Sequence, residues 1–301
     1  MSRSRVQVRV PASTSNLGPG FDCLGLGLQL YNTATISLHD GARVRPPRGM
    51  IEQTAVAFFN RVTGGKIEPF GFEAKVEGDI PVSRGLGSSV TVRLGILMGL
   101  AELVRETVSV PREQILKLLI ELEGHPDNAV PSFLGGFAIC SRATGKAQDG
   151  FGYTRVAVGP ELSFVTLVPD LHLATEAARA LLPKEIPFRH AVENSQRTAR
   201  IAAAFCNRDY ASLRGLFVDH LHQPFRRTLI PGFTTILNAA VEAGALGSFL
   251  SGAGSSLMAV TLEKVEAISA AMLEAAHKHD LPAKILVLKA DNEGAKVLEK
   301  E

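Results

Sequence analysis

The stretch 78–105 sets two glycines and two hydroxyls directly before a helix. It reads G-D-I-P-V-S-R-G-L-G-S-S-V-T and, two residues further on, L-G-I-L-M-G-L-A-E-L-V-R. Val90, Leu94, Leu97, Met98 and Ala101 recur at steps of three and four, the spacing of one helix face. Gly85 and Gly87 interrupt regular structure just ahead of it, and Ser88 or Ser89 stands where an N-cap belongs. Backbone N–H groups, two hydroxyls and the positive end of a helix thus converge, a combination that suits a polyphosphate or a metal riding on one. The same pattern can also simply turn a corner. No Lys follows the glycines as in a P-loop, and Val90 stands where a dinucleotide fingerprint needs its last glycine. The catalytic-loop and metal-binding motifs of protein kinases are missing too.

Four other places carry chemistry. Glu121-Leu122-Glu123-Gly124-His125-Pro126-Asp127-Asn128 packs carboxylates, a histidine and an amide into eight residues. Such a cluster is costly to assemble without partners, and a hard cation accompanying ATP needs only one or two carboxylates. The loop from Pro11 to Asp22 is polar and glycine-rich, with Asn16 and Asp22 bracketing Gly18-Pro19-Gly20. Arg179 and Arg226 offer planar forks that match a carboxylate, with Arg227 leaving a one-residue ambiguity. Leu250-Ser251-Gly252-Ala253-Gly254-Ser255-Ser256 makes a second glycine turn. The His220-Leu221-His222 pair would need further partners to hold a metal.

The first loop resembles the phosphate-binding motif of the GHMP kinases. Their pattern P-x-x-x-G-L-G-S-S-A stands here as Pro81-Val82-Ser83-Arg84-Gly85-Leu86-Gly87-Ser88-Ser89, with Val90 in place of the small residue. The string V-P-A-S-T-S-N-L-G-P-G-F-D-C-L-G-L-G-L is similar to the first motif of the homoserine kinase branch, and the turn at 250–256 to the family's third motif, Ser255 replacing its usual proline.

The resemblance implies an α+β fold of two lobes: an N-terminal ATP-binding lobe over 1–150 and a C-terminal ferredoxin-like α/β-sandwich lobe over 151–301. It implies ATP-dependent phosphorylation of L-homoserine, a step of threonine biosynthesis, with Mg²⁺ on the nucleotide and a homodimeric assembly. Nucleotide contacts fall on Pro81, Val82, Ser83, Arg84, Gly85, Leu86, Gly87, Ser88, Ser89, Val90 and Thr91. Metal ligands fall on Ser89 and Glu121, with Glu123 as the alternative because the spacer before the histidine is short. Asn16, Asp22, His125, Asn128, Arg179, Arg226 and Gly252 fall on substrate-facing positions. Among these, Asp22 suits the ammonium group and the arginines the carboxylate. His125, Asp127 and Asn128 are the catalytic candidates, with His125, Asp127 or no group at all as the base. A GHMP kinase for another small alcohol, such as a mevalonate-type enzyme, and a non-catalytic ligand-sensing relative are the alternatives.

The rest of the chain fits a scaffold for such a site. Its 301 residues suffice for one large domain or two modest ones. With 46% apolar and 21% charged residues and a formal charge of +2 without a basic block, nothing points to nucleic acid or to a membrane surface. Three widely spaced cysteines, Cys23, Cys140 and Cys206, read as free thiols of a reducing cytoplasm. The alternating N-terminus is not a signal peptide, and the longest apolar run is too short for a membrane span. Period-two alternation predicts strands at 6–10, 24–30, 34–38 and 70–76, with Pro11 ending the first. Helical periods follow at 51–62, 88–105 and 111–123, a strand at 135–139, and a boundary at 143–152. Beyond it come strands at 163–168 and 284–288, a strand-turn-strand around 248–262, and helices at 174–182, 189–206, 232–243 and 264–278. Mixed elements without strict alternation indicate α+β.

Overall fold

The computed structural model describes residues 4–38, 49–64, 66–67, 69–142 and 150–300. The first lobe is built on a long antiparallel ribbon. Strand β1 (Arg5–Ser15) pairs along its whole length with β2 (Leu24–Leu38), with a register shift between Pro11 and Ala12. Pro11 was expected to end β1. It is accommodated instead, because the shift falls where its missing N–H would break the ladder. The two strands expected at 24–30 and 34–38 are one, since Tyr31, Asn32 and Thr33 stay paired with β1.

After β2 the chain forms helix α1 (Met50–Ala57), continued by a π-helical turn at Phe58–Val62, then β3 (Phe72–Gly78) and α2 (Ser88–Leu103). Helices α3 (Arg112–Glu123) and α4 (Pro126–Leu134) and strands β4 (Phe137–Arg142) and β5 (Phe151–Val156) complete this part. Helix α4 was not anticipated: Pro126 opens it at the first helical position, where a proline costs nothing, and Gly135 stops it. Strand β5 is exposed over its four central residues and so shows no alternation to read. The boundary expected at 143–152 lies, apart from 150–152, outside the described residues.

The second sheet begins at β6 (Ser163–Pro169). Helices α5 (Thr175–Ala180), α6 (Phe188–Asn207), α7 (Gln223–Arg226) and α8 (Phe233–Glu242) lead to β7 (Gly247–Leu250) and β8 (Leu257–Thr261). Helix α9 (Val265–His277) and β9 (Ala283–Leu288) follow. The order β7-β8-β6-β9, antiparallel throughout with α8 and α9 packed against it, is that of a ferredoxin-like sandwich. The last strand, β10 (Lys296–Lys300), returns to pair with β1, so the first sheet runs β10-β1-β2-β4-β5 with β3 also on β2. That return was not legible, because five residues of mixed polarity carry no period.

Among the described residues three apolar clusters hold the layers. One lies between β1/β2 and α1–α4, with Val8, Val10, Leu94, Leu97 and Phe133 fully or almost fully buried. The second joins the lobes: Leu24, Leu26 and Phe137 of the first sheet pack with Phe164, Phe205 and Phe249. The third fills the ferredoxin-like sandwich. Burial of this contiguous surface is what fixes one lobe on the other.

Helix α2 approaches β2 closely because it presents glycines. A Cβ on Gly95 would lie 2.5 Å from the Ala34 Cβ, which no rotamer can move, and one on Gly99 would lie 2.3 Å from Ile36 Cδ1, the far end of a side chain with two rotatable bonds. Replacing a mid-helix glycine by alanine gains up to about 1 kcal/mol of helix propensity, whereas overpacking costs about 1–3 kcal/mol. Gly95→Ala should therefore destabilise the protein in urea unfolding, while Gly99→Ala should be close to neutral. Equal behaviour of the two would contradict this packing.

Candidate functional site

Gly87 (φ 71°) is the N-cap of α2, and Thr91 N–H makes the first intrahelical bond, to Gly87 O at 3.1 Å. The cap is the glycine and not Ser88 or Ser89, so both hydroxyls remain free of capping duty. The N–H groups of Ser88, Ser89 and Val90 precede that first bond and point beyond the helix end, an anion-binding arrangement.

The loop is clamped from three sides. Ser13 N–H donates to Leu86 O (3.3 Å), Ser256 N–H to Arg84 O (3.1 Å) and Ser251 Oγ to Gly85 O (2.7 Å). Arg84 is buried and reaches the second lobe, donating from Nε to Pro169 O and pairing through Nη2 with Asp170. A Cβ at Gly85 would strike Ser251 O at 2.1 Å, and one at Gly87 would strike Ser13 Oγ at 2.3 Å. Both glycines have positive φ, so two constraints require the same residue type.

The loop forms one wall of a cleft of about 540 Å³ between the lobes. Of the residues predicted to meet nucleotide, Val82, Ser83, Arg84, Gly85, Gly87, Ser88, Ser89 and Val90 line it; Pro81, Leu86 and Thr91 do not. Leu86 is wholly buried in the core. Thr91 turns toward β2, where its hydroxyl accepts from Asn32 Nδ2 (2.9 Å) and donates to Ser88 O. Asn16, Asp22, His125, Asp127, Asn128, Arg179, Arg226 and Gly252 all line the same cleft.

Glu121 does not. It sits on the exposed face of α3 and pairs with Arg61 at 2.6 Å, whereas Glu123 lines the cleft and accepts from Ser89 Oγ at 2.9 Å. Two residues along an α-helix turn through about 200°, so only one of these glutamates can face the loop. Glu123 Oε1 lies 3.0 Å from Arg93 Nε in an ion pair whose orientation makes no hydrogen bond, leaving a buried carboxylate oxygen short of a partner. Burial raises the Glu123 pKa, against the pull of the Arg93 charge and the Ser89 hydroxyl. An under-satisfied carboxylate oxygen beside a hydroxyl at a helix N-terminus fits a hard cation whose other ligands are phosphate and water oxygens. Among the described residues no cluster of three or more His, Cys, Asp or Glu forms a protein-only metal cage.

On the opposite side, α4 is pressed so tightly on β2 that a Cβ at Gly25 would fall 1.7 Å from Asp127 O. This contact aims the start of α4 into the cleft. His125 Nδ1 meets Asp127 Oδ1 at 2.8 Å, and Asn128 bridges Ser13 and Ser15, each at 2.9 Å. Burial pushes the His125 pKa down, but the Asp127 hydrogen bond and charge outweigh it and the net shift is upward. Asn16 donates from Nδ2 to Gly252 O (3.1 Å) and accepts the Asp22 N–H, fixing the sharp turn that carries Asp22.

Arg179 and Asp22 form a two-pronged pair at 2.7 and 3.2 Å. Arg226 is 2% exposed and donates to Ala178 O, Gly252 O and His222. Burial and the neighbouring Arg179 charge push its pKa down to about 10, still cationic at neutral pH. Both guanidiniums lie over the Phe21 ring, at 5.4 and 5.3 Å.

Several site residues escape a reading of the sequence alone. Arg93 had a signal, being one turn beyond Ser89 on α2. Phe21 and Ser15 lie in the first motif beside Asp22 and Asn16, but nothing in their residue types singles them out, and the fold is what turns them into the cleft. The His220/His222 pair holds no common point. His220 pairs with Glu193 at a half-buried position, while His222 is buried against Gly18.

Residues 50–136 match the family model described as GHMP kinases N terminal domain, and residues 201–278 that described as GHMP kinases C terminal. The chain is 38% identical over 305 residues to the homoserine kinase of Clostridium beijerinckii, covering 98% of this chain and 99% of that protein. It is 35% identical over 300 residues to the homoserine kinase of Aquifex aeolicus, covering 97% and 99%. The crystal structure of homoserine kinase from Cytophaga hutchinsonii superposes with a TM-score of 0.86 at 25% identity, over 99% of this chain and 98% of that one. With its glycine loop, its Asp22 turn and its second glycine turn all meeting in one cleft, the chain belongs to the homoserine kinase family of the GHMP kinases.

Proposed function

We propose that this protein transfers the γ-phosphoryl group of ATP to the hydroxyl of L-homoserine. The observation that carries this reading is the pairing of two chemistries across one cleft. An anion-binding helix N-terminus with Ser89 and Glu123 lies on one side, and an acid with two arginines on the other. Asp22 favours a ligand with an ammonium group, which mevalonate and sugars lack.

The N–H groups of the loop and of the first turn of α2 hold the phosphates. Ser89 and Glu123 are the residues that would hold Mg²⁺, which supplies neutralisation of phosphate charge. Arg226 and Arg179 receive the substrate carboxylate and Asp22 its ammonium. Asn16 and Asn128, each already fixed by hydrogen bonds, shape the wall around the hydroxyl-bearing chain. His125, whose pKa the Asp127 hydrogen bond and charge raise above its ordinary value against the effect of burial, lines the same wall. Catalysis then rests on in-line positioning and charge neutralisation, as phosphoryl transfer allows. ADP release measured with homoserine, serine, threonine and mevalonate tests the reading. Turnover confined to mevalonate, or with none of the four, would overturn it.

The two glutamates give a sharp comparison. Glu123→Ala should lower kcat by ~10²-fold or more, whereas Glu121→Ala should stay within about 2-fold, because it removes only a surface pair. The reverse pattern would place the cation on the other face of α3.

The arginines should also differ. Arg226→Ala removes a desolvated charge, at a cost of about 2–5 kcal/mol, and should raise the homoserine KM ~30-fold or more while lowering thermal stability. Arg179→Ala, at a half-exposed position, should raise the homoserine KM roughly 10-fold and leave stability nearly unchanged. The ATP KM should hold in both. Loss of ATP binding instead would assign these arginines to the nucleotide.

A further inference from the structure

His222 lies wholly buried between the loop that carries Asp22 and the guanidinium of Arg226. Its Nε2 is 2.8 Å from Gly18 O, and its Nδ1 is 3.3 Å from Arg226 Nη1. A carbonyl only accepts and a guanidinium only donates, so Nε2 must carry the proton and Nδ1 must be bare. The contacts leave one protonation state, the neutral Nε2–H tautomer. The ring is stacked on Phe21 (centroids 5.2 Å apart, 27° between planes), the same ring that both arginines overlie. Arg226 spends Nε on Ala178 O and Nη1 on Gly252 O and His222, while Nη2 has no hydrogen-bond partner among the described residues.

We propose that His222 is a positioning residue for substrate recognition. By accepting one N–H of Arg226 while anchoring itself to Gly18, it holds the guanidinium so that Nη2 is left for the substrate carboxylate. The inference rests on the assignment of Arg226 to that carboxylate.

The surroundings are consistent with a neutral ring. Asp219 Oδ2 is 3.5 Å away, and Asp22 also favours protonation, but Asp219 is occupied by the N–H groups of Leu221, His222 and Gln223 and by Asn194 Nδ2. Arg226, with Arg179 beyond it, opposes a second positive charge. Burial is the largest influence, and the net effect lowers the pKa of His222 from its ordinary value. A protonated ring would turn an N–H toward Arg226 and remove its acceptor.

Two measurements test this. The first needs no substrate: a long-range ¹⁵N–¹H spectrum of histidine-labelled wild-type protein, with the His222 ring assigned by its contacts to Phe21. The neutral Nε2–H pattern is expected at about pH 7. An Nδ1–H tautomer, or a doubly protonated ring at about pH 7, would overturn the proposal. The second compares His222→Gln, which reaches Gly18 but leaves no acceptor at Nδ1, with His222→Asn, whose amide oxygen can replace that acceptor. His222→Gln should raise the homoserine KM ~10-fold with kcat and the ATP KM within about 2-fold, and His222→Asn should remain within about 3-fold of wild type. Equal losses in both variants, or a parallel rise in the ATP KM, would reduce His222 to a packing residue. Wild-type protein that does not turn over homoserine would instead sink the functional reading and leave the tautomer result standing.

Discussion

The site depends on a seam where three backbone segments touch. The end of β1, the loop ahead of α2 and the turn after β7 are hydrogen-bonded to one another through Ser13, Gly85, Ser251 and Ser256. Gly252 N–H adds a bond to Ser15 O, and Ser251 Oγ one with Thr14 Oγ1. Segments this close exclude side chains between them, which is why Gly85 faces Ser251 O and Gly87 faces Ser13. The phosphate-type loop is therefore built jointly by both lobes. Its free N–H groups are fixed before any ligand arrives, and preorganised donors are those that stabilise developing charge at least cost.

Charge is organised around that seam in two halves. On the α2 side the positive helix end and Arg93 face Glu123, whose second oxygen is incompletely satisfied. On the α5/α7 side two cations and one anion crowd the Phe21 ring. A buried guanidinium is tolerable only when its donors are occupied. Arg226 meets this at Nε and Nη1 through two carbonyls and a neutral histidine, with no carboxylate among these partners, while its Nη2 stays available to a ligand.

How much of this was legible follows from where polarity had a local cause. The helices at α2, α3, α6 and α9 and the alternating strands announced themselves, because burial on one face writes a period into the chain. The residues Ala12–Ser15 read as loop because they are polar. They are strand, and their hydroxyls are polar because they hydrogen-bond Asn128 and Ser251 across the seam. The cleft-lining positions Asn16, Asp22, His125, Asn128, Arg179, Arg226 and Gly252 were recognisable through the family motif, which preserves their order along the chain. Helix phase was not, since the spacing of a motif along the chain does not say which of Glu121 and Glu123 faces inward. Strands β5 and β10 were silent because an exposed or very short strand leaves no pattern.

The pairing of Asp22 with Arg179 bears on how a zwitterion could enter. The two side chains are 36% and 37% exposed, so their mutual attraction is screened, and such pairs stabilise by only about 0.2–1 kcal/mol. A ligand bearing an ammonium and a carboxylate can part them cheaply and give each a new partner. Arg226 cannot move in the same way, being 2% exposed and tied to Ala178, Gly252 and His222. The cleft thus combines one fixed cation with one exchangeable ion pair, and under the proposed function the first would set where the carboxylate binds and the second would admit the ligand. A screened pair at the mouth and a desolvated charge at the base let the site discriminate by charge pattern without a large barrier to entry.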